Sequence, residues 1–180
     1  MEIVKIVLYV IIGISIILLV YIGIYNRIKT QILKINAAES EIDESLRLKY
    51  DLLTKIISEI KKINKDEEKF NDIDKIKDEN LSSFEFDRKL ADIESQIYTI
   101  RNDNTKLLKN NSFNNLWYEI TTINSKIKAE EKYYNENTTI YNELVTKFPS
   151  KIVSMILKLN EKRYFDGKNM YDKNIKDFKI

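Results

Sequence analysis

Between Lys5 and Arg27 the chain carries no charged side chain, and Ile6 to Tyr25 reads IVLYVIIGISIILLVYIGIY, interrupted only by Gly13, Ser15 and Gly23 among non-aromatic positions. A helix needs roughly 20 apolar residues to cross a hydrocarbon core about 30 Å thick, which is the length of this segment. Fourteen of its twenty residues are Ile, Leu or Val. At about −0.3 to −0.6 kcal/mol each near the bilayer centre, they favour insertion by on the order of 4–8 kcal/mol. The segment is therefore read as a transmembrane helix, with Ile6, Ile11, Ile16 and Leu19 along the span and Tyr25 at its end. A cleaved signal would have a shorter apolar region ending in small residues, and YIGIYNRI does not supply them. Lys5 and the amino terminus flank one end, whereas Arg27, Lys29 and Lys34 flank the other, so the positive-inside bias favours a cytoplasmic soluble part.

The chain beyond this segment is written in heptads. Apolar residues recur at steps of four and three through Ile28, Ile32, Ile35, Ile42, Leu46, Leu53, Ile56, Ile60 and Ile63, with Glu39 and Lys49 as the polar positions of that seam. A repeat near 3.5 residues specifies a helix packed along its length against partners at shallow crossing angles. No proline or glycine separates it from the apolar segment, so the two are expected to form one nearly continuous rod. A second periodic stretch runs from Phe86 to Leu107, with Asn104 as its one polar seam position. A third runs from Phe113 to Phe148, interrupted at Glu130 and Asn137 and ended by Pro149. Asn110, Asn111 and Ser112 supply the turn and cap chemistry between them. The acidic stretch from Lys61 to Glu85 reads as a solvated helix end and loop, and Ser150 to Leu159 as a short fourth helix that caps the bundle or, with the basic residues that follow, as an amphipathic element that touches anionic lipid or the acidic stretch.

Three glycines and one proline in 180 residues leave little for the turns of a sheet protein. The expected fold is all-α: a transmembrane helix continuous with an antiparallel bundle of three long helices and a short C-terminal one. In segments, 1–5 is a short tail, 6–26 the span, 27–165 the bundle and 166–180 a polar tail.

The chain has no cysteine and no histidine, which removes thiolate chemistry, the commonest general base and the commonest metal ligands. No catalytic residue, metal site or cofactor is expected. A hydrolase would need paired carboxylates in a cleft, and a narrow bundle seam is expected to offer none. The polar seam residues Glu39, Lys49, Asn104, Glu130 and Asn137 read as register devices or wet edges. Tyr134-Asn135 and Tyr141-Asn142 lie one heptad apart on one helical face, about 10.5 Å from each other. Core packing of the rings, with hydroxyls reaching the surface, is the expected role.

Taken together, the N-terminal anchor, Leu48-Lys49-Tyr50-Asp51-Leu52-Leu53, the paired Tyr-Asn repeat, Phe148-Pro149 and the closing Arg163-Tyr164-Phe165 resemble the LemA family, whose corresponding first motif is R-R-Y-D-L-I-like. The resemblance runs from about Ile6 to Phe165, with departures at Thr54, where a proline commonly stands, and at Asn124, often a glutamate. It implies a single-pass membrane protein with a helical soluble part and no firm biochemical activity. The expected function is a membrane scaffold that self-associates, or a sensor or adaptor working through its first helix. Expected partners are the lipid bilayer, further copies of the chain and an unidentified protein partner; a net charge of +2 gives no reason to expect nucleic acid.

Overall fold

The structure, a computed structural model, describes residues 1–64, 70, 73–76 and 81–166. Six helices and no strand occur among the described residues: α1 (Glu2–Asn64), α2 (Ile73–Ile76), α3 (Ser83–Asp103), α4 (Thr105–Leu108), α5 (Asn111–Thr146) and α6 (Ser150–Ile156). The fold is all-α, and α1 carries the apolar segment and the first heptad stretch as one unbroken helix. The polar tail beyond Asp166 and residues 65–69, 71–72 and 77–80 of the acidic stretch lie outside the described residues.

The chain divides into two compact units, Ala38–Tyr133 and a second made of Met1–Ala37 with the segment from Tyr134 onward. In the Ala38–Tyr133 unit, the fully buried residues Ile42, Leu46, Leu53, Ile56, Ile60, Leu90, Ile97, Leu107, Phe113 and Ile120 make the core. Their spacing is by three, four or seven in α1 and by seven in α3 and α5, as the heptads predict, which places one stripe of each of these helices toward the core.

The helix directions follow from side-chain pairs. Ser83 Oγ donates to Asp43, and the Phe86 ring lies 6.2 Å from that of Tyr50, so α3 begins beside the start of this unit's stretch of α1 and runs parallel to it. Tyr98 meets Trp117 and Glu94 meets Asn124, so α5 runs against α3. Ser45 donating to Glu130 makes α5 antiparallel to α1 as well. Asp43 lies about 30 Å back along α1 from Asn64 at 1.5 Å per residue. The antiparallel partner of both helices is thus α5, and α3 shares the direction of α1, an arrangement that helix bundles also use.

Local chemistry sets the helix ends. Ser82 and Glu85 form a reciprocal cap at the start of α3, with Ser82 N donating to Glu85 Oε2 at 3.0 Å and Glu85 N to Ser82 Oγ at 3.3 Å. Asn110 Oδ1 accepts from Phe113 N at 2.9 Å and opens α5, as its position predicts. One expected seam position is corrected, and a second is a wet edge. Asn104 stands between α3 and α4, where its Oδ1 accepts from the amides of Lys106 and Leu107, so a cap breaks the second periodic stretch. Glu39 is exposed, and the neighbouring Ala38 occupies the buried seam position.

In the other unit, Ile28, Ile35, Tyr141, Leu144, Val145 and Val153 form the core, with Tyr21, Ile24, Tyr25, Tyr134, Leu157 and Leu159 packed against it. Two small residues let α6 approach closely: Ser150 and Ser154 are buried beside Val153, and Ser154 Oγ donates to the Val145 carbonyl at 2.9 Å. A Schellman closure ends α6, with Leu159 N donating to Ser154 O and Lys158 N to Met155 O. Lys158 occupies its left-handed position at φ 53°.

Candidate functional site

The two units carry one polar site each. In the unit that contains α6, non-helical backbone from Asn160 to Tyr164, with a turn at Phe165, bonds along α5, where no strand is available to satisfy its amides and carbonyls. Such groups must be paired when they are drawn out of water. The Tyr-Asn repeat pairs them. Tyr141 Oη donates to Asn160 O at 2.9 Å, and Tyr134 Oη to Arg163 O at 3.3 Å. Asn142 Nδ2 donates to Lys162 O and its Oδ1 accepts from Lys162 N, both at 2.8 Å, while Asn135 Oδ1 accepts from Phe165 N at 2.9 Å.

The spacing explains why the motif repeats. Seven helical residues advance about 10.5 Å, and three extended residues about 10 Å, so one heptad of α5 matches three residues of an extended chain. Tyr141 and Tyr134 accordingly reach carbonyls three residues apart, and Asn142 and Asn135 reach amides three residues apart, with the segment running against α5. Around them, Thr139 Oγ1 meets Tyr164 Oη at 3.1 Å, Lys162 Nζ donates to Asn36 Oδ1 at 3.3 Å, and Phe165 packs edge-on against Tyr134. The expected packing role is half of the arrangement: Tyr141 is buried in the core, and its hydroxyl, whose pKa burial pushes up, remains a donor to the chain.

The Ala38–Tyr133 unit has an ionic groove of about 440 Å³. Lys49, only 4% exposed, places its ammonium 3.1 Å from Glu94 and 3.7 Å from Asp87, so the Lys-Tyr-Asp-Leu motif contributes its lysine to the interior and its aspartate, Asp51, to solvent. Tyr50 packs inward on Phe86. Asn124 Nδ2 donates to Glu94 at 2.7 Å as a neutral partner. Glu131 and Lys128 line the same groove, whose other end is Tyr98 and Trp117. Burial and the nearby Asp87 carboxylate push the Glu131 carboxyl up to about 7, against the opposing pull of Lys49 and Lys128. Burial likewise raises Asp87.

The seam therefore opens here, contrary to the expected closed packing. Lys49 was legible as a polar interruption; Asp87, Glu94 and Glu131 were not, because each lies outside the apolar rhythm of its own helix and is half-buried only once the helices pack. Glu130 is a separate feature, buried and bonded through Oε1 to Ser45 at 3.1 Å and to Lys126 at 3.5 Å. Among the described residues, no group of three or more carboxylates is arranged to hold a metal ion.

The predicted span residues Ile6, Ile11, Ile16 and Leu19 are all exposed, and Tyr25 is half-buried at the edge of the α6-containing core. The best 18-residue window of α1 has a mean hydropathy of 3.0 and none of it is buried. Phe148, 80% exposed, and Pro149 follow α5 and lead into α6.

These features define a class: a helical-bundle protein whose N-terminal helix is long and apolar enough to cross a bilayer. The LemA family profile matches residues 38–177, well over half of the chain. The chain belongs to the LemA family. No curated protein and no solved structure gave a match. The family match begins after the apolar segment, and the two together fit a membrane-associated helical protein.

Proposed function

We propose that this protein is a non-enzymatic membrane scaffold that self-associates through its helical part. One observation carries the reading: α1 is a single helix from Glu2 to Asn64, so the segment that suits a bilayer is covalently and conformationally continuous with the helix that builds the bundle core. Whatever the bundle binds is then held at the membrane. The ionic groove supports a structural role, since Lys49 engages Asp87 and Glu94, and Asn124 also holds Glu94. Exposed apolar side chains, Leu33 and Leu108 among them, supply surface that a second copy could bury. Lysine-reactive crosslinking in intact membranes is expected to trap copies of the chain with one another. Recovery of uncrosslinked chain alone contradicts the proposal.

The same continuity favours a second reading, a sensor or adaptor in which α1 passes a rotation between bilayer and bundle. One residue inserted after Asn26 turns the following helix by about 100°, whereas seven restore its facing to within about 20°. The sensor reading expects the first insertion to change output and the second to be tolerated. Equal tolerance of both contradicts it.

A further inference from the structure

Helix α6 has two unlike faces. Ser150, Val153 and Ser154 are buried against the core, while Ile152, Met155 and Ile156 are 49%, 60% and 62% exposed, and Phe148 just ahead of them is 80% exposed. Four large apolar side chains on so short a stretch form a patch that a water-soluble surface would not keep. Two of its neighbours are exposed lysines, Lys151 and Lys158, whereas Lys147 is paired with Glu143 at 2.6 Å; Lys158 holds the left-handed position that glycine would fill with less strain.

The position of this patch along α1 identifies what covers it. The core that contains Val153 also packs Tyr21, Ile24 and Tyr25, which are the last turn of the apolar segment Ile6–Tyr25. Tyr21 lies about 6 Å inside the end of that segment at 1.5 Å per residue. If α1 spans the bilayer, the α6 end of this unit is therefore at the depth of the headgroups and upper acyl chains. Apolar side chains flanked by lysines at that depth match an anionic leaflet, with the apolar groups immersed and the ammonium groups among the phosphates.

We propose that Phe148 and the outer face of α6 form a second membrane contact, inserted into the anionic leaflet from which α1 emerges. This rests on the reading of α1 as a membrane span, and the test separates the two. The chain has no cysteine, so single cysteines can be introduced without further change. Nitroxide labels at Ile16→Cys, Ile152→Cys, Met155→Cys and, as an aqueous reference, Tyr118→Cys are compared in the full chain, reconstituted in phosphatidylcholine–phosphatidylglycerol vesicles. The readout is accessibility to oxygen relative to a water-soluble nickel chelate.

Labels at Ile152 and Met155 are expected to give a ratio several-fold above that at Tyr118, and addition of Lys151→Glu and Lys158→Glu to lower the ratio at Met155. A ratio at Ile152 and Met155 equal to that at Tyr118, with Ile16 immersed, overturns the second contact and leaves the span standing. An aqueous ratio at Ile16 as well overturns both. Poor access to both reagents with dipolar broadening assigns the face to a second copy and overturns the lipid contact.

Discussion

Asn142 reads the backbone of Lys162 with both ends of its amide, donating through Nδ2 to the carbonyl and accepting through Oδ1 from the N–H, each at 2.8 Å. A side-chain amide used this way replaces the neighbouring strand that an extended segment otherwise needs. Asn142 is fully buried, so water cannot take over the lost bonds when the side chain is shortened.

Asn142→Ala is expected to cost about 2–4 kcal/mol locally, since it strands one donor and one acceptor of Lys162. Hydrogen exchange checks this directly: the Lys162 amide exchanges at least about tenfold faster, and the α3 amides are unaffected. Asn142→Asp keeps the acceptor and loses the donor, and is expected to protect the Lys162 amide to an intermediate degree.

Glu131 makes stability depend on pH. Its carboxyl is raised to about 7 from an ordinary 4.5, so the unfolded chain releases this proton at lower pH than the folded chain does. Stability is then greatest below the ordinary carboxylate range, falls as pH rises from about 4.5 to about 7, and is level above that. The loss from this residue is on the order of 1–3 kcal/mol after allowance for its partial exposure. Denaturation at about pH 5 and about pH 8 is expected to show the fall in the wild-type chain and a smaller one in Glu131→Gln.

Lys49 is the only buried cation of the ionic groove among the described residues, and two carboxylates lie within 4 Å of it. Removing one member of a buried pair leaves its partners uncompensated, at about 3–5 kcal/mol. Lys49→Met is therefore expected to destabilise the protein strongly at about pH 8 and less at about pH 5, where the Glu131 carboxyl, raised to about 7, carries its proton. Glu94→Gln in the Lys49→Met background should recover part of the loss, and a double-mutant cycle measures the coupling.

Asn104→Ala should cost about 1 kcal/mol, because Asn104 caps α4 through the amides of Lys106 and Leu107. Thermal melts in a chain of this size should shift by about 2–4 °C.

Asn104 also shows where sequence reasoning stops. Its place in the apolar rhythm made it a seam residue, yet the same side chain that interrupts a seam is a good cap, and only the backbone distinguishes the roles. The helices themselves, the unbroken α1 and the Asn110 cap were legible because periodicity and capping are local. The direction of α3 was not, since the periodicity is the same whichever way a helix runs. The Tyr-Asn pairs were legible as a spacing, but their partner is backbone 19 to 30 residues further on, and backbone leaves no trace in side-chain pattern. Lys49 announced a buried charge, while the carboxylates around it became visible only when α3 and α5 were brought to it.

The central claim is a scaffold that assembles at the membrane, and the mass of the full-length chain in mild detergent, by light scattering corrected for bound detergent, tests it most directly. The account predicts a protein mass of two or more chains that persists on dilution. A single-chain mass at every concentration, in detergent and in lipid nanodiscs alike, contradicts it.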